Sequence, residues 1–151
     1  MAKGEKAVAR NRKARFDYEL LDKFEAGLAL QGTEIKALRE GRCTLGDGFV
    51  EIQNGEAWLV DVHISPYSHG NRANHDPTRR RKLLLHKREI SRLHSKIAER
   101  GLTCVPLRIY FKEGRAKVEI ALARGKRKYD KREDIKRREA NREAERAIKN
   151  R

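Results

Sequence analysis

Apolar side chains recur at even positions from Phe16 through Tyr18, Leu20, Phe24, Ala26 and Leu28 to Leu30, with Asp22 interrupting the run. A period of two marks a long half-buried strand. The break at Leu21-Asp22 predicts a bulge or bend, which lets one strand curve a sheet. Directly afterwards, Thr33 to Glu40 places Ile35 and Leu38 on one helical face, with Gly41 as a stop. That helix is short and needs tertiary support.

Two hairpins are legible further on. Phe49-Val50-Glu51-Ile52 and Trp58-Leu59-Val60-Asp61-Val62 flank Asn54-Gly55, a dipeptide suited to the type I′ turn. Val105, Leu107, Ile109 and Phe111 alternate before Glu113-Gly114; Ala116, Val118, Ile120 and Leu122 alternate after it. Pro106 lacks an N–H and falls on the outward phase, which suits an edge or a bulge. Between the hairpins, Ile90, Leu93 and Ile97 stripe a helix over about residues 86–100 that Gly101 ends. Leu83-Leu84-Leu85 reads as a short strand feeding the same core. The fold class expected is mainly β with flanking helices. An OB-like antiparallel β-barrel closes these elements most economically.

Charge divides the chain further. Of the formal +15 on 151 residues, residues 1–15 carry +5 and residues 125–151 carry +6, with 12 Lys or Arg against 6 Asp or Glu in the latter. The 109 residues between them carry only +4. The expectation is a basic N-terminal arm (1–15), an OB-like barrel (16–124) and a basic C-terminal tail (125–151). A compact body with cationic ends is the electrostatic footprint of a nucleic-acid binder. A membrane-surface anchor needs large apolar residues on one face, and the tail lacks them. Ordering it costs about 1–2 kcal/mol per residue in backbone entropy, so the free tail is expected to be disordered or at best a fraying helix. The i,i+4 pairs Glu133–Arg137, Asp134–Arg138 and Glu145–Lys149 bias it toward helix by about 0.2–0.5 kcal/mol each. That pattern suits a segment that folds when a phosphate-lined channel neutralises it.

The N-terminal Met1-Ala2-Lys3-Gly4-Glu5 has no apolar run of the kind an export signal needs. No stretch approaches a bilayer span. The cytoplasm is the expected compartment, with Cys43 and Cys104 as small buried thiols outside any Cys-x-x-Cys pair.

Candidate chemistry begins at Asn11-Arg12-Lys13-Ala14-Arg15, which leads into Phe16-Asp17-Tyr18. Cations there would pair phosphates and an aromatic would stack a base. The plainer alternative is a solvated terminus entering a strand whose Phe16 and Tyr18 face the core. The long polar connection from Ser65 to Thr78 suggests a functional loop. The run Arg79-Arg80-Arg81-Lys82 after it would line a phosphate groove. His69 and His75 with Asp76 match no common metal spacing. Asp17, Glu19, Glu25 and Glu34 form no pair that spacing selects for catalysis, and no Walker loop or Gly-x-Ser-x-Gly elbow occurs. No catalytic residue, metal or cofactor is expected.

Four blocks taken together are specific: Asn11 to Tyr18; Phe24-Glu25-Ala26-Gly27-Leu28-Ala29-Leu30-Gln31-Gly32-Thr33-Glu34-Ile35-Lys36; Asp76-Pro77-Thr78-Arg79 leading into Arg81 to Glu89; and Gly125-Lys126-Arg127-Lys128-Tyr129-Asp130-Lys131-Arg132. In this order and spacing the chain resembles the SsrA-binding (small protein B) family of bacterial trans-translation. The resemblance implies an OB-type barrel that binds the tRNA-like domain of tmRNA and stands in for the anticodon arm that tmRNA lacks. It implies that the tail enters the empty mRNA channel of a stalled ribosome, against small-subunit RNA, and becomes helical there. By the same resemblance Asn11, Glu25 and Leu84 contact or support tmRNA. Gly125, Lys126, Asp130, Lys131 and Arg132 serve accommodation, with Arg127, Lys128 and Tyr129 in the same motif. Phe16 stands where many members carry His, which keeps stacking but loses an imidazole's hydrogen bonding and protonation.

A carboxylate repels phosphate, so Glu25 is expected to accept from base or sugar donors or to orient an arginine. Leu84 is expected to pack on a base or a sugar face. No membrane partner and no obligate dimer is implied, and the free chain is expected to be a monomer. A general OB-type translation factor or ribosomal protein, and a small RNase, are the competing functional classes.

Overall fold

The computed structural model describes residues 5–68, 74–125, 136–144 and 146. In chain order the elements are β1 (Glu5–Arg10), α1 (Arg12–Asp17), β2 (Tyr18–Leu28), α2 (Gly32–Arg39), β3 (Cys43–Thr44), β4 (Phe49–Gln53) and β5 (Glu56–Val60). Then come β6 (His63–Ile64), β7 (Arg81–Leu84), α3 (Lys87–Arg100), β8 (Thr103–Lys112) and β9 (Arg115–Gly125). Seven strands form one antiparallel sheet in the order β1-β8-β9-β2-β7-β5-β4, while β3 pairs only with β6. Edge strand β4 also packs beside β8 from the other half of the sheet. Only a curled sheet brings those two together.

The curl has visible local causes. Register shifts fall between Leu20 and Lys23 on β2 and between Pro106 and Arg108 on β8. Each one switches the face to which the strand sends its apolar residues. Ahead of the first shift, Tyr18 and Leu20 pack with Ala14, Val105, Leu107, Ala121 and Ala123 in a small cluster under α1. Beyond it, Phe24, Ala26 and Leu28 join the main core with Leu38, Leu59, Leu83, Leu93, Ile109, Val118, Ile120 and Leu122. The bulge near Leu21-Asp22 is therefore as expected. The single face expected for Val105, Leu107, Ile109 and Phe111 is divided by the second shift. Pro106 marks that bulge and not an edge, because β8 lies between β1 and β9.

Both hairpin turns have two successive residues at positive φ: Asn54 (53°) with Gly55 (74°), and Glu113 (52°) with Gly114 (77°). Those values are the I′ geometry that matches strand twist. The helices end where the sequence places their stops: α2 is capped at Glu40, and α3 is followed by Gly101 in the left-handed region.

The N-terminal expectation needs correction. Residues 5–10 are a strand paired with β8, from Glu5 opposite Lys112 to Arg10 opposite Arg108. Residues 12–17 are a helix, so Phe16 belongs to α1 and not to a strand. Edge pairing to a long neighbouring strand satisfies the backbone of residues 5–10, and Val8 and Ala9 pack against the main core.

Lys126, Arg127, Lys128, Tyr129, Asp130, Lys131 and Arg132, with Glu133, Asp134, Glu145 and Lys149 of the helix-favouring pairs, lie outside the described residues. Residues 136–144 and 146 are helical and exposed, where the sequence favours disorder or a fraying helix. The Arg138 guanidinium lies over the Phe16 ring, 5.6 Å from its centroid. Cys104 is buried and Cys43 half-buried, both as free thiols; burial pushes them up to about 12 and about 11. Among the described residues, no helix is long and apolar enough to cross a membrane.

Candidate nucleic-acid interface

The cation run 79–82 is divided by strand geometry. Along β7, Arg81 and Leu83 are buried while Lys82 and Leu84 are exposed, the alternation any strand imposes. Arg81 is fully buried. Its Nε donates to Glu34 Oε2 at 2.5 Å, Nη1 to the Val62 carbonyl at 2.6 Å and Nη2 to the Pro77 carbonyl at 2.9 Å. Arg79 donates to the other carboxylate oxygen of Glu34 through Nη2 at 2.5 Å and Nε at 3.1 Å. The Gln31 N–H donates to that oxygen at 2.8 Å, closing the first turn of α2. Burial pushes the Glu34 carboxyl up, but the bonds from Arg79, Gln31 and Arg81 outweigh it and hold the group below its ordinary value. Arg81 therefore does not reach a phosphate: it is a buried clamp joining α2, β7 and the loop after β5. Arg79 is mostly committed to the same clamp.

The other two cations remain outside. Arg80 stacks over Trp58 at 4.7 Å and donates to Gln53 Oε1 at 2.9 Å. Lys82 Nζ stands 3.4 Å from Glu56.

Asn11 is likewise a structural residue. It is 6% exposed, its Oδ1 accepts from the Ala14 N–H at 3.1 Å, and its Nδ2 donates to the Pro106 carbonyl at 2.9 Å. It thus caps α1 and ties that helix to the β8 bulge. Arg12, Lys13 and Arg15 project from α1 and are exposed, while Phe16 is half-buried. Lys13 pairs with Asp47 at 3.1 Å. His75 is buried between the Thr33 hydroxyl at 2.9 Å and the Ile64 carbonyl at 2.8 Å, and Asp76 caps the turn at Thr78. His69 lies outside the described residues.

Glu25 and Leu84 do come together. They line an open groove of about 710 Å³ with Gly27, Lys82, His86, Lys87 and Lys117. Leu84, at 55% exposure, is the one large apolar side chain exposed among the described residues. It lies directly across from Gly27 on β2. A Cβ at Gly27 would meet Leu84 Cβ at 3.2 Å, so the missing side chain gives Leu84 its place at the groove floor. The Tyr110 hydroxyl donates to Glu25 Oε2. Lys112 Nζ lies 3.5 Å from the same oxygen. The Tyr110 bond, against the opposing effect of burial and with help from Lys112 and Lys117, holds the Glu25 carboxyl below its ordinary value. Burial and the bond to Glu25 push the Tyr110 phenol up.

Sequence reasoning missed Gly27, His86, Lys87 and Lys117 in this groove, and Tyr110 behind Glu25. An isolated glycine inside a strand pattern is a signal of close approach. Nothing local marks Tyr110, which reaches Glu25 across β9.

An apolar floor, a carboxylate acceptor and rimming lysines suit a nucleotide held by face, edge and backbone at once. Fold and groove together define a small, basic, curled-sheet protein of the nucleic-acid-binding class. Residues 8–150 match the model of the SmpB protein family, and the chain belongs to that family. Similar relatives include the SsrA-binding protein of Desulforudis audaxviator (strain MP104C), 60% identical over 145 residues, covering 96% of this chain and 95% of the relative. The SsrA-binding protein of Enterococcus faecalis (strain ATCC 700802 / V583) is 59% identical over 151 residues, covering 99% and 98%. A solved chain described as "tmRNA-SmpB: a journey to the center of the bacterial ribosome" is similar at 50% identity and a TM-score of 0.68, over 84% of this chain and 93% of that one.

Proposed function

We propose that this chain is a non-catalytic adaptor that binds the tRNA-like domain of tmRNA and delivers it to stalled ribosomes for rescue by trans-translation. The observation that carries the reading is the near end-to-end identity of about 60% with proteins named for SsrA binding. Glu25, Lys82 and Leu84 in the groove are the direct RNA contacts. Arg12, Lys13, Arg15 and Phe16 on α1 form a second contact surface, with the outer edge of Arg79 as a minor one. Asn11 and Arg81 act by holding those surfaces in place. The tail motif from Gly125 through Lys126, Arg127, Lys128, Tyr129, Asp130 and Lys131 to Arg132 occupies the decoding region and empty mRNA channel. The chain works in the cytoplasm as a monomer until it meets RNA and makes or breaks no covalent bond.

The test separates the two halves. Full-length chain binds the isolated tRNA-like domain with an affinity that falls as salt rises, the log–log slope gaining about 0.7–0.9 per phosphate contact. A chain ending at Gly125 keeps most of that binding and loses the release of stalled ribosomes. Normal release by the shortened chain contradicts the tail's role. Degradation of labelled RNA by purified protein with divalent metal contradicts the non-catalytic reading.

A further inference from the structure

A line of fixed side chains runs from edge strand β1 to the groove. Glu5 accepts from Arg108 Nη1 and Nη2 at 3.3 and 3.2 Å, and Arg108 Nε stands 3.5 Å from Glu119. Held on both sides, that guanidinium lies over the Tyr110 ring, 4.1 Å from its centroid. Tyr110 is 1% exposed. A ring packed below and stacked above has little rotational freedom, so its hydroxyl dictates where the Glu25 carboxylate points. Glu25 Oε1, by contrast, has no protein partner among the described residues, on a side chain 40% exposed beside Leu84.

Resting on the function proposed above, we infer that Tyr110 is a positioning residue for RNA recognition. By occupying Oε2 it leaves Oε1 as the open oxygen of Glu25, aimed into the groove to take an N–H or O–H donor of the RNA, a base amine or a ribose 2′-hydroxyl. With both oxygens open, a carboxylate can instead take a bidentate partner such as an arginine fork. A phosphate at neutral pH offers only acceptors and gains nothing at Oε1. The groove thus selects by a neutral donor while Lys82, Lys87 and Lys117 supply unspecific attraction.

Acidification gives an independent readout. The charged and titratable groups around Glu25 are Tyr110 and Lys112 from β8, Lys117 and Glu119 from β9, Lys23 on its own strand, and, across the groove, Lys82 on β7 with His86, Lys87 and Glu89 at the start of α3. The Tyr110 bond leads the causes that hold the Glu25 carboxyl low. Without it the group protonates at higher pH, and binding that needs the carboxylate is lost sooner as pH falls.

Tyr110→Phe tests the inference, because it keeps the ring and its stacking and removes only the hydroxyl. Affinity for the tRNA-like domain is expected to fall about five- to tenfold, of the order one ordinary hydrogen bond contributes net of solvent, because the hydroxyl acts through Glu25 and not on the RNA itself. The salt slope stays unchanged, since no phosphate contact is lost, and the acid midpoint of binding moves up. In a Glu25→Ala background the same substitution changes affinity by less than about twofold, because its route to the RNA is gone. RNAs with 2′-deoxy sugars, or with bases lacking the exocyclic amine, identify the donor: one of them lowers wild-type binding to the Tyr110→Phe level. Unchanged affinity and acid midpoint in Tyr110→Phe, an equal loss in the Glu25→Ala background, or indifference to both modified RNAs overturns the inference. Failure of the wild-type chain to bind the RNA refutes the proposed function and the inference with it. Wild-type binding with an indifferent Tyr110→Phe overturns the inference alone.

Discussion

Glu34 and Glu25 are both glutamates beside cations, yet they do opposite things. Glu34 is fully buried and both its oxygens are consumed by Arg79, Arg81 and the Gln31 N–H. Glu25 lies half in solvent, with one oxygen held by Tyr110 and the other open. A carboxylate whose acceptor capacity is exhausted inside the protein can only hold the fold together. One whose capacity is half spent is available to a partner. The same contrast divides the neighbouring β7 residues: Arg81 faces inward to Glu34, and Leu84 faces outward to the groove.

The largest way to break the contrast is Arg81→Ala. It leaves Glu34 with a buried charge that Arg79 alone neutralises, and removal of one partner from a buried pair costs about 3–5 kcal/mol. Urea or thermal unfolding is expected to show that loss, with a smaller fall in RNA affinity per folded molecule because Lys82 and Leu84 share its strand. Unaltered stability with weakened RNA binding would return Arg81 to the surface role its sequence suggests.

A smaller effect is acid sensitivity. The folded Glu34 carboxyl is held below its ordinary value of 4.5. A lowered acid contributes stability that is present above the unfolded value and is lost as pH falls through the folded one. Glu34→Gln is expected to be less stable at neutral pH and to lose less on acidification below about 4.5. Parallel acid curves for the two proteins would assign the clamp's strength to something other than charge.

Smallest is the exposed pair that links β7 to β5. Lys82 and Glu56 are about half in solvent at 45% and 46%, so a double-mutant cycle is expected to give about 0.2–1 kcal/mol or less. A coupling several times larger would mean that the pairing of β5 with β7 is held by charge as much as by its backbone ladder.

Much of this was legible in the residues, and the rest was hidden for identifiable reasons. The Asn54-Gly55 and Glu113-Gly114 turns, the ends of α2 and α3 and the β2 bulge are dictated by neighbours in sequence, so local patterns reveal them. Strand β1 depends on partners about a hundred residues away, and no local period announces it. The face switch at Pro106 arises against β9 in its own hairpin, but the unbroken alternation from Val105 to Phe111 conceals it. The fate of the 79–82 run was readable in principle: Arg81 shares its strand phase with buried Leu83. Four adjacent cations conceal that alternation. Of the groove, Glu25 and Leu84 come from family resemblance, whereas Tyr110 becomes visible only when β8, β9 and β2 are laid side by side.

The most direct test of the central claim titrates the tRNA-like domain against Leu84→Ala and records the melting temperature of the same sample. Leu84 makes little of the core and much of the groove floor. Affinity is therefore predicted to fall by about 1–3 kcal/mol, the scale of a lost contact to a nucleotide base, with melting unchanged. Full affinity after loss of Leu84 would contradict the account.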